Sequence, residues 1–166
     1  RFIHVYRDPF AFVRSAMRRG YYAGHNWDFA RVRPRHDDPL ASRWETLPKL
    51  ECCAWLWWRT NADIRNWMAT LPPSRRLSVR AEDLFAGDPG VLRDFFAICD
   101  SSVPSADRIR EVLGAKLNAQ QAGAFPEASG WTPRDRDAVW AYVGGLATEL
   151  GYATHDQAAG ADSTDG

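Results

Sequence analysis

Residues 2–15 read FIHVYRDPFAFVRS, an apolar run followed by an Asp-Pro pair and a second apolar segment. The first five residues are aliphatic or aromatic apart from one histidine, which predicts a buried strand. Asp8 and Pro9 are typical of a helix start, because a carboxylate caps free amides and proline tolerates the first helical position. The apolar stripe of this helix is Phe12, Val13, Ala16 and Met17, and Gly20 ends it. The segment therefore predicts a strand that passes directly into a helix.

The rest of the chain is mostly helical in pattern. The predicted elements are an aperiodic loop over 20–48, a helix over 51–71, a strand over 76–80, and helices that begin near Asp88, Ser105 and Thr132. The helix over 51–71 presents an apolar face, made of Cys53, Trp57, Ile64, Met68 and Leu71, which Ala54, Trp58 and Trp67 widen. Leu92, Phe95, Phe96 and Cys99 line the buried side of the helix at Asp88. Gly151 is the predicted C-cap of the last helix, which Gly144 and Gly145 weaken by about 1 kcal/mol each.

The fold class that follows is α/β with a helix-rich remainder. Two strands separated by far more than a turn favour a parallel pair joined through helices. Since two strands are too few for an independent sheet, further strands are expected upstream of Arg1. A length of 166 residues with 45% apolar residues predicts one domain over 1–152. The small polar residues 153–166 predict a disordered tail.

Cysteine content and hydropathy limit the environments in which the chain is expected. Cys52, Cys53 and Cys99 form an odd set without metal-ligand spacing. They are interpreted as small buried hydrophobic residues in a reducing compartment, which predicts a cytoplasmic location and no metal site. No apolar run approaches the roughly 18 residues that a membrane-spanning helix needs. The sequence therefore predicts no membrane span.

Charge is neutral overall but unevenly distributed. The chain has 21 basic and 21 acidic residues, and residues 1–36 hold eight arginines against Asp8 and Asp28. A basic segment rich in arginine suits a small phosphate- or sulfate-bearing ligand, and a solvated helix face explains the same pattern. Overall neutrality argues against a nucleic-acid partner. A nucleic-acid binder that uses this arginine-rich segment remains a further hypothesis, and it predicts that binding depends steeply on the salt concentration.

The turn after the first strand carries the most specific signal. Arg7 ends the strand, Asp8-Pro9 opens the helix, and Ser15 follows eight positions after the arginine. This arrangement resembles the 3′-phosphate-binding segment of the sulfotransferases that use 3′-phosphoadenosine 5′-phosphosulfate. An arginine fork beside a helix N-terminus suits an anion, because free amides and the helix dipole both favour negative charge. The structural alternatives are a salt bridge for Arg7 and a solvated or back-bonded helix serine for Ser15.

Other landmarks of that family follow in its order along the chain. They are the tryptophan-rich segment 53–58 with Asn61 and Ile64, the segment 79–84 followed by Asp88-Pro89, and the closing segment 131–152. The resemblance covers about residues 1–152. It implies a P-loop-like sulfotransferase fold with a parallel sheet, and a sulfotransferase that moves a sulfonyl group to an acceptor hydroxyl or amine. Arg7 and Ser15 would bind the nucleotide, whereas the glycine-rich phosphate loop and the catalytic base are expected upstream of Arg1, so that the chain alone is expected to be inactive.

The sequence also departs from the family pattern. Ala81 stands where many members have a tyrosine near the adenine, so the adenine is expected to be held in a different way. The basic group that the family supplies from a late loop has no clear equivalent in 123–131; Lys116 and Arg134 are candidates, and both are equally explained as solvated helix residues. Glu82 and Asp83 are interpreted as helix-capping residues that bond to Arg80 rather than as paired catalytic acids.

The long loop over 20–48 is where acceptor contacts are expected. Its aromatic residues and histidines include Tyr21, Tyr22, His25, Trp27, His36 and Trp44. Aromatic rings around a few polar groups suit carbohydrate, phenol or lipid acceptors, and rings that pin a long loop to the core explain the same residues. Loop histidines are more often surface residues than catalytic bases. A non-catalytic nucleotide- or anion-binding module that lacks the phosphate loop is the alternative function.

Overall fold

The computed structural model describes residues 1–114, 125–126 and 130–152. The chain divides into two compact units. The first contains Arg1–Asp8 and the described part of Asn61–Ala122, and the second contains Pro9–Thr60 and the described part of Gly123–Gly166. The predicted tail over 153–166 lies outside the described residues, and the single domain over 1–152 stays a prediction.

The described fold is α/β and helix-rich. Its strands and helices are β1 (Phe2–Tyr6), α1 (Pro9–Arg18), α2 (Lys49–Ala69), β2 (Arg76–Arg80), α3 (Ala81–Ala86), α4 (Pro89–Ile98), α5 (Ala106–Gly114) and α6 (Pro133–Glu149). Short 3-10 helices span Asn26–Ala30, Ala41–Thr46 and Pro73–Arg75. The first two lie in the predicted loop over 20–48, which is therefore more ordered than its lack of period indicated. Helix α2 ends at Ala69, two residues before the predicted end.

The sheet of the first unit pairs β1 with β2 in parallel, as predicted. The register runs from Phe2 opposite Arg76 to Tyr6 opposite Arg80, so the carboxyl ends of the two strands are level. The prediction that β1 is buried is wrong for part of the strand: His4 is buried, whereas Phe2 and Val5 are 42% and 44% exposed. Strand composition reports the backbone conformation, while burial depends on what packs against each face.

The helices of the first unit pack on β2 and on each other. Helix α4 begins as predicted, because the Asp88 carboxylate accepts a hydrogen bond from the Val91 amide at 2.9 Å. Leu92 is buried, but Phe95 and Phe96 are half-buried and Cys99 is exposed, so the predicted buried face of α4 is partly wrong. Helix α3 was not predicted, since six residues are too short for a recognisable period.

The second unit holds a tryptophan-rich core. Residues 52–57 of α2 are all buried, and they are joined by residues of α1, α6 and the loop. Buried core residues outside α2 include Val13, Trp44, Trp131, Val139 and Val143. The predicted face of α2 extends too far, because Trp67 is 46% exposed and Ile64 is only half-buried. Six consecutive buried residues require neighbours all round the helix, which a one-face pattern does not predict.

Helix α6 begins as predicted, but its C-cap lies one residue before the predicted one. The Thr132 side chain accepts the Asp135 amide at 3.1 Å, and the Asp135 carboxylate accepts the Thr132 amide in return. Leu150 is the C-cap, and Gly151 follows it with a φ of 83°. Gly144 is buried against Trp140, where a side chain would clash, and the weakening of the helix by its two glycines stays a prediction.

Two predictions from composition, on the cysteines and on membrane spans, can be compared with the structure. Cys52 and Cys53 are buried free thiols as predicted, whereas Cys99 is an exposed free thiol, which contradicts its assignment as a buried residue. Periodicity placed Cys99 on the inner face of α4, but it is the C-cap of that helix, where the chain turns. Among the described residues, no helix is both long enough and apolar enough to cross a membrane.

Candidate functional site

The candidate site lies at the edge of the first unit where both strands end. Because β1 and β2 are parallel and in register, Tyr6 lies opposite Arg80, and the two turns that follow these residues begin at the same level. Arg7, the first residue after β1, is exposed. Parallel sheets bind ligands at their carboxyl edge, because loops from neighbouring strands converge there. The first residues of the Arg7–Ser15 segment and the segment 79–84, two of the four segments that carry the family resemblance, thus lie at one edge.

Glu82 ties these two turns together. The Asp8 amide donates a hydrogen bond to the Glu82 carboxylate with an N–O distance of 2.7 Å, and this contact is partly buried. A charge-assisted bond to a backbone amide fixes the turn in which Arg7 lies. The sequence assigned Glu82 to helix capping with a hydrogen bond to Arg80, and the contact with the Asp8 amide was missed. No local signal reveals it, because the donor is a backbone group 74 residues away.

Arg80 and Tyr6 form the polar lining of the same edge. Arg80 Nε lies 3.8 Å from Asp83 Oδ2, so Asp83 forms an ion pair with Arg80. Burial raises the pKa of Tyr6, and the positive charge of Arg80 opposes that rise. The phenol therefore stays neutral and can donate or accept a hydrogen bond at this edge.

The two predicted nucleotide-binding residues lie on different elements. Arg7 follows β1 and belongs to the first unit, whereas Ser15 lies in the middle of α1 and belongs to the second. Ser15 is half-buried, next to the buried Ala16, and its carbonyl accepts the amide of Arg19 at 3.1 Å. The Ser15 carbonyl thus makes an ordinary helical hydrogen bond. The proposed role of the Ser15 hydroxyl in nucleotide binding rests on the family resemblance.

A buried polar pair lies beneath the sheet of the first unit. His4 Nε2 donates a hydrogen bond to Asn61 Oδ1 at 2.8 Å, and both residues are less than 8% exposed. His4 Nδ1 is buried without a hydrogen-bond partner among the described residues. Burial lowers the pKa of His4, although the bond to Asn61 partly opposes this shift. The pair anchors β1 to α2 with a neutral imidazole.

The aromatic residues of the loop differ in their surroundings, and the predicted acceptor contacts stay a prediction. Tyr22 and Trp44 are buried and meet edge to face with ring centroids 5.2 Å apart; Trp44 in turn contacts Trp55 of α2 at 5.1 Å. These rings pin the loop to the core. Tyr21 and Trp27 instead hold the Arg31 guanidinium, which lies 3.3 Å and 4.6 Å from their ring centroids.

Asp28 organises the same loop from within. Its carboxylate is 2% exposed and accepts the amides of Tyr22, Gly24 and His25 as well as Arg31 Nε at 2.8 Å. Burial alone raises the pKa of Asp28, but these four hydrogen bonds outweigh it and lower the pKa below its ordinary value. The sequence analysis considered Asp28 only for its charge. The three-residue spacing of Asp28 and Arg31 was the signal that could have predicted their ion pair.

The remaining candidates contribute little to a site in the structure. His25 stacks on Trp27 with ring centroids 4.8 Å apart, and His36 is exposed. Arg134 is exposed in the first turn of α6. Lys116 lies outside the described residues. Within residues 1–114, 125–126 and 130–152, no group of three potential metal-ligating side chains comes together.

An apolar cavity lies among α3, α4 and α5 of the first unit. Its volume is about 620 Å³, within the range of small-molecule sites. Phe85, Leu92, Ile109 and Leu113 line it, together with Arg110. Arg110 is already paired with Asp107 at 2.8 Å. Among the described residues that line this cavity, Arg110 is the one with a polar side chain.

Comparison with known proteins gives no match. No protein-family model, no curated protein and no solved structure matches this chain.

Proposed function

We propose that this chain forms the 3′-phosphate-binding part of a sulfotransferase that moves a sulfonyl group from 3′-phosphoadenosine 5′-phosphosulfate to an acceptor hydroxyl or amine. The observation that carries the proposal is the parallel, in-register end of β1 and β2, where the Asp8 amide donates to Glu82. Two of the four segments that resemble the family begin at this edge. The proposed architecture is accordingly the P-loop-like sulfotransferase fold.

In the proposed reaction, the acceptor oxygen or nitrogen forms a bond to sulfur while the bond from sulfur to the nucleotide's bridging oxygen breaks. The acceptor proton passes to a base, and the leaving nucleotide retains the electron pair of the broken bond. Arg7 pairs with the 3′-phosphate. The assignment of the Ser15 hydroxyl to the nucleotide rests on the family resemblance alone. Glu82 is a positioning residue, since it holds the Asp8 amide. The base is not assigned to a described residue.

Nucleotide binding tests the assignment of Arg7. Calorimetry with adenosine 3′,5′-bisphosphate and with adenosine 5′-monophosphate measures the contribution of the 3′-phosphate. We expect the chain to prefer the bisphosphate and Arg7→Ala to lose that preference. The loss should be about 10–100-fold in Kd, because a charge-assisted bond to phosphate contributes about 1.5–3 kcal/mol.

Arg110→Ala is the matched control for this experiment. Arg110 belongs to the same unit, and its side chain is 74% exposed. It should bind the bisphosphate like the unsubstituted chain. Equal affinity of Arg7→Ala and Arg110→Ala would refute the site. Transfer itself is tested on the complete gene product with radiolabelled sulfonate donor and a panel of hydroxyl and amine acceptors. Nucleotide binding without transfer by that product would favour the non-catalytic binding module.

A further inference from the structure

The apolar cavity among α3, α4 and α5 is a feature of the first unit that the proposed function does not use. A second space of about 270 Å³ adjoins the space of about 620 Å³ and shares five of its lining residues. The shared residues are Phe85, Leu92, Pro104, Ile109 and Leu113. These side chains come from three helices and from the segment before α5, and they converge on one concave surface.

The cavity extends from the interior of the unit to its surface. Leu92 is 7% exposed, whereas Phe85 is 65% exposed and Val112, which lines the smaller space, is 46% exposed. Ile109 and Leu113 are one helical turn apart on α5, and both are half-buried. A molecule that enters from the surface therefore contacts apolar side chains over most of its own area.

The helices around the cavity begin and end at defined caps. The Asp88 carboxylate caps α4 through the Val91 amide, and Gly87, which lines the cavity, is the C-cap of α3 with a φ of 77°. At the start of α5, the Ser105 hydroxyl accepts the Arg108 amide at 3.3 Å. Ordered helices with local capping bonds thus form the walls of the cavity.

The charges beside the cavity cancel. Arg110 lines the larger space and Arg108 the smaller one. Arg110 pairs with Asp107 and Arg108 pairs with Glu111, each at 2.8 Å. Helix α5 thus carries two positive and two negative charges. An ion gains little attraction at such a surface and gives up hydration when it enters an apolar space, so the lining suits an uncharged occupant.

We propose that this cavity binds an uncharged, largely apolar small molecule. The atoms that line an empty apolar space lack neighbours on one side, and an apolar ligand supplies these dispersion contacts as it leaves water. Apolar cavities lined by leucine, isoleucine and phenylalanine bind apolar molecules for this reason. The volume and the concave shape favour a small molecule over a protein surface. The cavity shares no residue with the proposed nucleotide site, Arg7 and Ser15.

Fluorescence titration with N-phenyl-1-naphthylamine tests the proposal. This probe is uncharged, and its emission rises when it leaves water, so we expect saturable binding at a single site. The analogue 8-anilinonaphthalene-1-sulfonate carries a sulfonate on the same rings and should bind about tenfold more weakly, because the anion loses hydration. Raising the salt from about 0.05 M to about 0.5 M should change the Kd of the uncharged probe less than about twofold.

Two variants alter the cavity at exposed positions, and each has a matched control. Ala106 lines the larger space, so Ala106→Trp should fill it and weaken the uncharged probe about tenfold or more. Ala97→Trp, at an exposed position of α4 outside the lining, should bind normally. Phe85→Ser should weaken binding about 3–10-fold through lost apolar contact. Phe29→Ser changes a residue that is 82% exposed in the second unit and should have no effect.

Three results of the titrations would overturn the proposal. They are no saturable binding, an unchanged Kd in both Ala106→Trp and Phe85→Ser, and displacement of the probe by adenosine 3′,5′-bisphosphate, which would place the probe at the nucleotide edge. Sedimentation equilibrium tests for a protein occupant: a dimer that Phe85→Ser dissociates would mean that a second copy covers the cavity, which also overturns the proposal. Circular dichroism checks that each variant is folded.

Discussion

Gly144 and Gly145 are neighbours in α6 with opposite surroundings. A Cβ on Gly144 would lie 2.7 Å from Trp140 Nε1, whereas a Cβ on Gly145 would meet no atom within 4 Å. Trp140 has little room to move, because its indole stacks on Phe10 with an interplanar angle of 9°. We expect Gly144→Ala to lower the free energy of unfolding by about 1–3 kcal/mol through overpacking.

Gly145→Ala provides the matched comparison for this helix. Gly145 is exposed, so alanine adds helix propensity without a clash, and the free energy of unfolding should rise by up to about 1 kcal/mol. Thermal melts of both variants measure the difference. Similar melting temperatures for the two alanine variants would contradict the packing of Trp140 on Gly144.

His4 makes the stability of the chain depend on pH. Above its ordinary pKa of 6.5 the imidazole is neutral in both the folded and the unfolded state. Because burial lowers the folded pKa, acidification below 6.5 protonates the unfolded chain first. The free energy of unfolding should then fall by up to about 1.4 kcal/mol per pH unit until the folded pKa is reached.

Urea unfolding at about pH 7.5 and about pH 5.5 measures this dependence. His4→Gln retains a hydrogen-bonding side chain next to Asn61 but has no proton to gain, so the acid-induced loss should shrink. His36→Gln removes an exposed histidine and should retain the loss in full. If acid lowers the stability of the two variants equally, the acid-induced loss does not come from His4.

At the scale of elements, local sequence chemistry predicted the helix starts and the strands well. Asp88 and Thr132 cap α4 and α6 as expected, because capping involves groups only three residues apart. The loop over 20–48 was predicted less well. Its order comes from Asp28, whose bonds to three amides depend on the positive φ of Tyr22 and Gly24.

Replacing Asp28 tests this account of the loop. Asp28→Asn lacks the charge that pairs with Arg31 and offers one acceptor oxygen in place of two, so buried amides lose partners. We expect the free energy of unfolding to fall by about 2–4 kcal/mol. The stabilisation by the carboxylate should also disappear in the unsubstituted chain as pH falls below 3.8, because the pKa of Asp28 is lowered by folding.

Asp37→Asn is the control for Asp28→Asn. Asp37 is 67% exposed and pairs with Arg35 at 3.7 Å, so its replacement should change stability by less than about 0.5 kcal/mol. Urea unfolding followed by tryptophan fluorescence measures both variants. A small effect of Asp28→Asn would mean that the loop does not depend on this carboxylate.

At the scale of the whole molecule, the three cysteines report on folding. Cys99 is exposed in the first unit, whereas Cys52 and Cys53 are 1% and 0% exposed in the second. Burial raises the pKa of Cys53 to about 12, which further suppresses its thiolate. We expect an aromatic disulfide reagent to modify one thiol quickly in the native chain and the other two only after unfolding.

Cys99→Ser identifies the fast thiol. This variant should show no fast phase in buffer and should react at two thiols in urea. The rate at the buried pair then measures the opening of the second unit. A fast phase that persists in Cys99→Ser would mean that the core around α2 opens readily.

The sequence by itself determined the features that act over a few residues. It predicted both strands, the capped starts of α4 and α6, and the parallel class of the sheet, because propensity, capping and the length of a crossover are local properties. It also selected Arg7 as the residue at the end of β1.

Only the tertiary structure decided burial and long-range partners. The contact of Glu82 with the Asp8 amide, the packing of Trp140 on Gly144 and the exposure of Cys99 depend on which surfaces meet. A helical or strand period says which side chains share a face, but not whether another element covers that face. Contacts between residues far apart in the chain are set by the fold, and they decide what the edge beside Arg7 and the loop around Asp28 can do.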